Sequence, residues 1–366
     1  MTATSDDIAL QLTDAPPIDG LRFRRLRDDD ADYESMADLI AEANLHDGHP
    51  WLPTAKLLRD GLEASVGVDP ATDVVITEID GRAVAESGVE RVMRDGVAVY
   101  EIWGTVRPDV RRRGLGRALL RENLRRVSER SAGEPAGQAC DVRGQAAENE
   151  AGHRALLEGA GFEPIRWFFD MRRPTLDDIP DAPLPDGLEI RPITADQHRA
   201  IFDAEREAFR DHWSAREQTD EDFKLTYSRP ELDTGLWVVA WDGAEIAAVV
   251  QSWIWAEENV THGVDRGWLE HISVRRPWRR RGLARAITAE ALRRLAAAGM
   301  REAMLGVDAE NPTGALGLYQ GLGFEVNKRS TTYRRSLGDL SGTVPWTGRG
   351  IIYRDADGGC RSCVPT

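Results

Sequence analysis

The chain has 366 residues, enough for two ordinary domains and too many for one core, with 41% hydrophobic and 30% charged residues and a formal net charge of −15. An isoelectric point near 5.0 and a mean hydropathy of −0.44 argue against a general nucleic-acid-binding face or an anionic-membrane surface, both of which need a basic patch. The most apolar stretch, LWVVAWDGAEIAAVVQSWIWA, is interrupted by Asp242 and Glu245 and falls short of a membrane span.

The N-terminal MTATSDDIALQLTDAPP is acidic where an export signal needs a basic start and an apolar centre. Three cysteines, Cys140, Cys360 and Cys363, are too few for a disulfide framework, so a reducing cytoplasm is the expected location. The pair in CRSC has metal or redox spacing without a second ligand pair, and no metal is expected. Lysine occurs only at Lys56, Lys224 and Lys328. Clusters of arginine in so acidic a chain call for a local anion.

Residues 1–18 read as a leader, and DGLRFRRL from Asp19 opens the first copy of a repeat. A turn is expected at Asp80-Gly81, then VRPDVRRRGLGRALL from Val106 and ENEAGHRALLEGAGFEP from Glu148. The three blocks recur in the same order as DGLEIRPI from Asp186, VRRPWRRRGLARAIT from Val274 and ENPTGALGLYQGLGFEV from Glu310, a duplication of domain size. The proline- and aspartate-rich segment between them reads as a linker. The expected division is 1–18 leader, 19–173 first domain, 174–187 linker, 188–337 second domain and 338–366 tail.

In the second copy a strand is expected over Leu188 to Pro192 and a helix over Asp196 to Phe209. The apolar stretch from Leu236 reads as two strands hinged at Asp242-Gly243, and GWLEHISV as a third strand. LARAITAEALRRLAAAG has leucine and alanine at helical spacing with Gly299 as its stop. EAMLGVD is a strand, TGALGLYQGLG a short helix, and EVNKRSTTYRRSL a final extended stretch. The first copy repeats this order. Two mixed α/β (α+β) domains follow, each a mostly antiparallel sheet flanked by helices.

In each copy a strand ends at a valine, an arginine-rich loop follows, and a glycine opens a helix. A helix start leaves backbone N–H groups without intrahelical partners, and glycine lets phosphate oxygens approach them. Neighbouring arginines can add charge-assisted contacts. With strand before, helix after and a second motif downstream, the junction suits a pyrophosphate.

These residues resemble the GCN5-related N-acetyltransferase (GNAT) superfamily, in which Arg/Gln-x-x-Gly-x-Gly/Ala cradles the pyrophosphate of acetyl-CoA. The second copy fits as Arg279-x-x-Gly282-x-Ala284, the first as Arg111-x-x-Gly114-x-Gly116, and the later Asn…Tyr…Gly-Phe block as Asn311, Tyr319 and Gly323-Phe324. The resemblance implies acetyl-CoA as co-substrate, held by Ile272, Ser273, Val274, the run Arg279, Arg280, Arg281, Gly282, Leu283, Ala284 and Arg285, and by Asn311 and Tyr319. A second site of the same kind would use Val106, Arg111, Gly114 and Gly116.

For catalysis the resemblance points to Tyr319 as proton donor to the leaving thiolate; packing between helix and sheet is the alternative. Strand alternation puts Trp268, Glu270, Ile272 and Val274 on one face, where apolar neighbours would raise the Glu270 pKa and suit it to act as general base. A structural ion pair is the other reading. His271 is expected on the opposite face and is not chosen. Backbone groups at Ile272 to Val274 would polarise the thioester. Asn311 orients the cofactor or caps a helix. His212 and Trp213 in RDHWSARE, with Trp253 and Trp255, are candidates for the acceptor groove.

Aligned on Gly161-Phe162 and on Val106, the first copy has Leu157 where Tyr319 stands and Ile102 opposite Glu270. It keeps the phosphate loop and lacks the acid and base, so it is expected to be non-catalytic. Tandem copies with one degenerate half are similar in organisation to the mycothiol synthase type of acetyltransferase. The expected activity is transfer of acetyl to a primary amine of a small molecule by direct attack. Alternatives are a cysteinyl amine, an antibiotic or polyamine acceptor, or a non-catalytic acetyl-CoA-binding regulatory module. Partners other than the amine, nucleic acid and membrane included, are not expected, and monomer and homodimer both stay open.

Overall fold

The computed structural model describes residues 10–215, 218–311 and 314–337; the tail with Cys360 and Cys363 and the first nine residues of the leader lie outside them. The first half runs β1 (Leu21–Arg25), α1 (Asp30–Asp47), α2 (Ala55–Ala64), α3 (Pro70–Asp73), β2 (Val74–Ile79), β3 (Arg82–Arg94), β4 (Val97–Val106), α4 (Leu115–Ser131), β5 (Cys140–Ala147), α5 (Ala151–Gly159) and β6 (Glu163–Arg173). The second runs β7 (Glu189–Ile190), α6 (His198–Phe209), α7 (Asp220–Tyr227), β8 (Val238–Asp242), β9 (Glu245–Trp253), α8 (Ala256–His262), β10 (Arg266–Val274), α9 (Leu283–Ala297), β11 (Glu302–Asp308), α10 (Ala315–Gln320) and β12 (Glu325–Ser336).

All twelve strands join one sheet, ordered β1-β2-β3-β4-β5-β12-β6-β11-β10-β9-β8-β7. The last strand of each copy has crossed over: β12 pairs with β5 of the first half, β6 with β11 of the second, and the two pair antiparallel with each other at the centre. A boundary at residue 173 therefore groups β6 with the first copy by sequence, whereas in space it completes the sheet of the second. Repeats reveal ancestry along the chain but not which of two near-identical edges a strand will pair with.

The local reasons are ordinary. Asp242-Gly243 turns β8 into β9, with Gly243 at φ 58°, and eight of the nine residues of β9 are buried because helices cover both faces. Helix α9 buries Leu283, Ile287, Leu292 and Leu295 against that sheet, where truncating Leu292 to alanine would cost about 2–5 kcal/mol. The connecting segment is docked rather than loose: Leu176 is buried, its N–H donates to Arg301 O at 2.9 Å, and Ile179, Ala182 and Leu184 pack on the second core.

Candidate active site

Two local irregularities open the site. Parallel pairing of β10 with β11 covers only Arg266–Trp268 against Glu302–Met304. Beyond it β11 continues along β6, leaving Leu269 to Val274 beside a gap. The pairing of β10 with β9 also slips between Leu269 and His271, a bulge with Glu270 as the extra residue.

The bulge corrects the expected alternation. Trp268 and His271 stand opposite Trp253 and Gln251, whereas Leu269, Ile272 and Val274 stand opposite Ser252, Val250 and Ala248. The second set shares its face with Gly267, whose added Cβ would strike Leu295 of α9; the first faces α6, where Glu205 meets Gln251. Trp268 and Ile272 are therefore on opposite faces. Glu270 is exposed, not enclosed by apolar neighbours, and accepts from Trp255 Nε1 at 3.4 Å. Alternation fails here because one extra residue inverts every side chain beyond it.

The gap widens into a cleft of about 1070 Å³. Its walls include Glu270, Ile272, Ser273, Val274, Arg279, Arg280, Gly282, Leu283, Ala284, Arg285, Asn311 and Tyr319, together with His212 and Trp213. Arg281 is exposed and outside the wall. Trp253 is buried at 3% exposure between Trp237 and the stacked Trp255; it is core, and Trp255 reaches the site only through Glu270.

The loop after β10 is built by its own arginine. Arg279 donates through Nε to Val274 O at 2.8 Å, through Nη1 to Asp211 at 2.6 Å and through Nη2 to Ala208 O at 3.2 Å. Arg276 and Arg279 hold the Asp211 carboxyl well below the usual range. The Arg279 side chain thus shapes the loop instead of reaching for a phosphate. Arg280 follows in a left-handed conformation (φ 60°), then Gly282 (φ 81°) starts α9 with open space where a Cβ would stand. A non-glycine residue held there stores local strain, which clusters at ligand-binding loops. Gly314, not Asn311, occupies the start of α10.

Tyr319 is 7% exposed and packs edge-on to Phe324 at 6.1 Å. Burial pushes its phenol up to about 12, so it carries its proton at neutral pH. Burial also lowers His212, with Arg279 and His271 contributing against the opposing charges of Asp308 and Asp211. Trp213 lies under Arg143 and Arg166 of the first half, 5.2 and 5.4 Å from its ring. Arg94 Nη1 donates to Ser214 O at 2.7 Å. The loop after α6 is thereby tied to the other half, and Phe168, Asp170 and Ser330, on the exchanged strands, complete the cleft. Sequence reading missed these, and Asp211 too. An acid directly after a helix, with a triple arginine elsewhere to pair with, was the available signal for Asp211.

The first copy keeps the loop, with Arg112 (φ 65°) and Gly114 (φ 95°) in the places of Arg280 and Gly282, and differs in what surrounds it. Its strand β4 pairs with β3 without a bulge. Leu157 and Ile102 come within 3.3 and 3.4 Å of where a Cβ on Gly144 would stand, whereas the matching Gly306 has open space. Pro16 of the leader lies 3.4 Å from the Cβ position of Gly114. Leu10, Leu12 and Ile18 pack beside Val110, Leu115 and Leu119, and Asp14 pairs with Arg121. Arg111 repeats the structural role of Arg279, bonding Val106 O and Asp47. A cleft of about 920 Å³ on the α1 and α2 side is lined by Ile102 and Gly144 and shares Gln145, Phe168, Trp213 and Ser330 with the larger one; Val106, Arg111, Gly114 and Gly116 do not line it.

Residues 198–324, nearly all of the second copy, match the Acetyltransferase (GNAT) family. A mycothiol acetyltransferase of Gordonia bronchialis is 30% identical over 306 residues, covering 78% of this chain and 92% of that protein. The chain belongs to the acetyltransferase (GNAT) family. The mycothiol acetyltransferase of Geodermatophilus obscurus is 28% identical, covering 84% and 96% of the two chains. Among solved structures, a GCN5-related N-acetyltransferase from Sphaerobacter thermophilus is 28% identical with a TM-score of 0.65, over 89% of this chain and 97% of that one. A tandem GNAT protein from the clavulanic acid biosynthesis pathway shares the fold at 16% identity and a TM-score of 0.59, covering 86% and 98%.

This GNAT protein is an acetyl-CoA-dependent N-acetyltransferase. Its cleft fits that co-substrate: open space at Gly282 and Gly306 admits a chain along the gap and phosphates at the start of α9. Among the described residues no group of three or more His, Cys, Asp or Glu could hold a metal ion, and no helix is long and apolar enough to cross a membrane.

Proposed function

We propose that the second half alone performs the transfer, to a primary amine of a small molecule, and that the first half serves as its scaffold. The observation that carries this reading is the paired contrast at four glycines. A Cβ at Gly282 or Gly306 would meet open space, whereas one at Gly114 would touch Pro16 and one at Gly144 would touch Leu157 and Ile102.

In the second half the N–H groups that begin α9 and the exposed Arg280 would hold the pyrophosphate, and backbone between Ile272 and Val274 would polarise the thioester carbonyl. Glu270 attracts the ammonium of the acceptor and takes its proton, directly or through water. Burial raises nearby Glu258 to about 7, with the charge of Glu270 adding to the rise. Glu270, exposed in the cleft wall, is the carboxylate placed to attract a cation. As nitrogen attacks, the C–S bond breaks, Tyr319 gives its proton to the thiolate, and the second proton of nitrogen leaves by way of the same carboxylate. Tyr319 is the weaker acid of the pair, since an ordinary thiol has a pKa of about 8.5, so its contribution rests on position.

The names of the two mycothiol acetyltransferases put a cysteinyl amine first in the test. Acetyl-CoA is offered with S-methylcysteinamide, a polyamine and an aminoglycoside while free CoA thiol is recorded. Turnover with one amine class is expected. Thiol release that no amine stimulates would instead indicate a binding module. Tyr319→Phe should lower kcat about 100-fold with little change in KM for acetyl-CoA, and Leu157→Tyr should add no activity. A fully active Tyr319→Phe would sink the assignment.

A further inference from the structure

The bulge leaves one ionisable group beside the site that the reading above does not use. His271 follows Glu270 directly and faces α6. Its Nδ1 lies 3.6 Å from Oε1 of Glu205, a carboxylate only 2% exposed. The other oxygen, Oε2, accepts from Gln251 Nε2, while Oε1 has no hydrogen-bond partner. A buried carboxylate left half-satisfied is costly unless a cation approaches it, and the imidazole is placed to become that cation. Its ring also touches the cleft wall: the Phe209 ring centre is 5.3 Å from that of His271 and 4.4 Å from that of His212.

We propose that the Glu205–His271 pair is the proton sink of the acceptor side, receiving through Glu270 the proton that the amine sheds. The inference rests on the acetyl-transfer reading and names where its proton goes. With Nδ1–H directed at Glu205, Nε2 is the atom that takes up the proton. The freed amine lone pair forms the C–N bond, the C–S bond breaks, and Tyr319 protonates the sulfur. The second proton of nitrogen leaves by the same route once the C–N bond has formed, so His271 returns two protons to solvent over the cycle while Tyr319 regains one, a net release of one. Because His271 acts through Glu270, it is a positioning residue for the proton and not a group that touches the acceptor.

The charges around His271 agree with this role. Glu205 from α6 and Glu270 from its own strand favour the imidazolium; Arg229, after α7, and His212, after α6, oppose it. Burial alone would lower the imidazole, yet the two carboxylates outweigh it and the net direction is upward. The pair therefore holds a proton more firmly than a free imidazole of pKa about 6.5.

Two measurements on the full chain decide the matter. The imidazole signals are followed by NMR against pH without any acceptor, His271 being assigned by its loss in His271→Gln. His271 should titrate above an ordinary imidazole and shift to lower pH in Glu205→Gln; an unmoved signal overturns the proposal. The pH profile of kcat/KM is then measured with S-methylcysteinamide or whichever amine of the panel is turned over. The acid limb should move with the imidazole in Glu205→Gln, and His271→Gln should lower kcat about 10- to 100-fold with KM within about twofold. A slower His271→Gln whose acid limb stays in place shows a merely structural residue and also overturns it. If Glu205→Gln does not fold, Glu205→Asp reads the same shift. Failure of every amine sinks the acetyl-transfer reading and this one with it, whereas turnover with an unmoved imidazole sinks the proton sink alone.

Discussion

Asp211 shows how much one side chain controls at this site. It clamps Arg276 and Arg279 together, and Arg279 in turn holds Val274 O and Ala208 O, so the phosphate loop and the end of α6 share one ion pair. Asp211→Ala should raise KM for acetyl-CoA by about tenfold, since a charge-assisted hydrogen bond contributes about 1.5–3 kcal/mol, while leaving kcat within about threefold. Steady-state kinetics at saturating acceptor checks this, and an unchanged KM would show that Arg279 needs no clamp. In the first half, burial raises Glu86 from 4.5 to about 7, against the Trp103 Nε1 bond at 2.9 Å. A carboxyl with a raised folded pKa stabilises fully below 4.5, and that contribution is lost as pH rises toward 7. Glu86→Gln, which keeps an acceptor for Trp103, should therefore stabilise the protein at pH 8 by up to ~3 kcal/mol and change little at pH 4. Denaturant unfolding at both pH values tests it, and equal effects at the two would refute it.

Among the elements, β6 and β12 carry the largest consequence. Each leaves its own copy and pairs along most of its length in the other, so neither half closes its sheet alone. Two polypeptides, 1–185 and 186–366, should aggregate when produced separately, because β5 and β11 would each present an unpaired edge. Produced together they should form a 1:1 complex on size-exclusion chromatography. Two soluble, monomeric, folded halves would show that each strand can return to its own copy. The strand β10 makes the same point on a smaller scale: its bulge lets Glu270 stand out at the gap, and the bulge-free β4 has no such position.

For the molecule as a whole, one open and one covered phosphate loop predict one CoA per chain. Isothermal titration should give a stoichiometry near one, lost in Gly282→Val, where a β-branched residue is forced into the left-handed region, and unaffected by Gly114→Val in protein that remains folded. A stoichiometry of two, falling to one in Gly114→Val, would mean that the leader yields to the ligand. At 100 times Kd, CoA should raise stability by about 2.7 kcal/mol.

Much of this was legible in the chain: the duplication, the valine-loop-glycine junction, the downstream tyrosine and its replacement by Leu157 are local patterns, and local patterns follow from periodicity and backbone preference. The separation of Glu270 from an apolar face, the role of Arg279 as a loop brace and the membership of Trp253 in the core were not. Each depends on a partner distant in sequence: the slip against β9, the carboxylate of Asp211, the stack with Trp237 and Trp255. The amino-acid sequence by itself determined two copies of an acetyltransferase plan, with Tyr319 and Glu270 in the second where Leu157 and Ile102 stand in the first. Only the tertiary structure decided that the copies exchange their last strands and that the leader lies on the first phosphate loop. Both depend on which surfaces meet once the chain is folded, and short-range pattern carries no information about that choice.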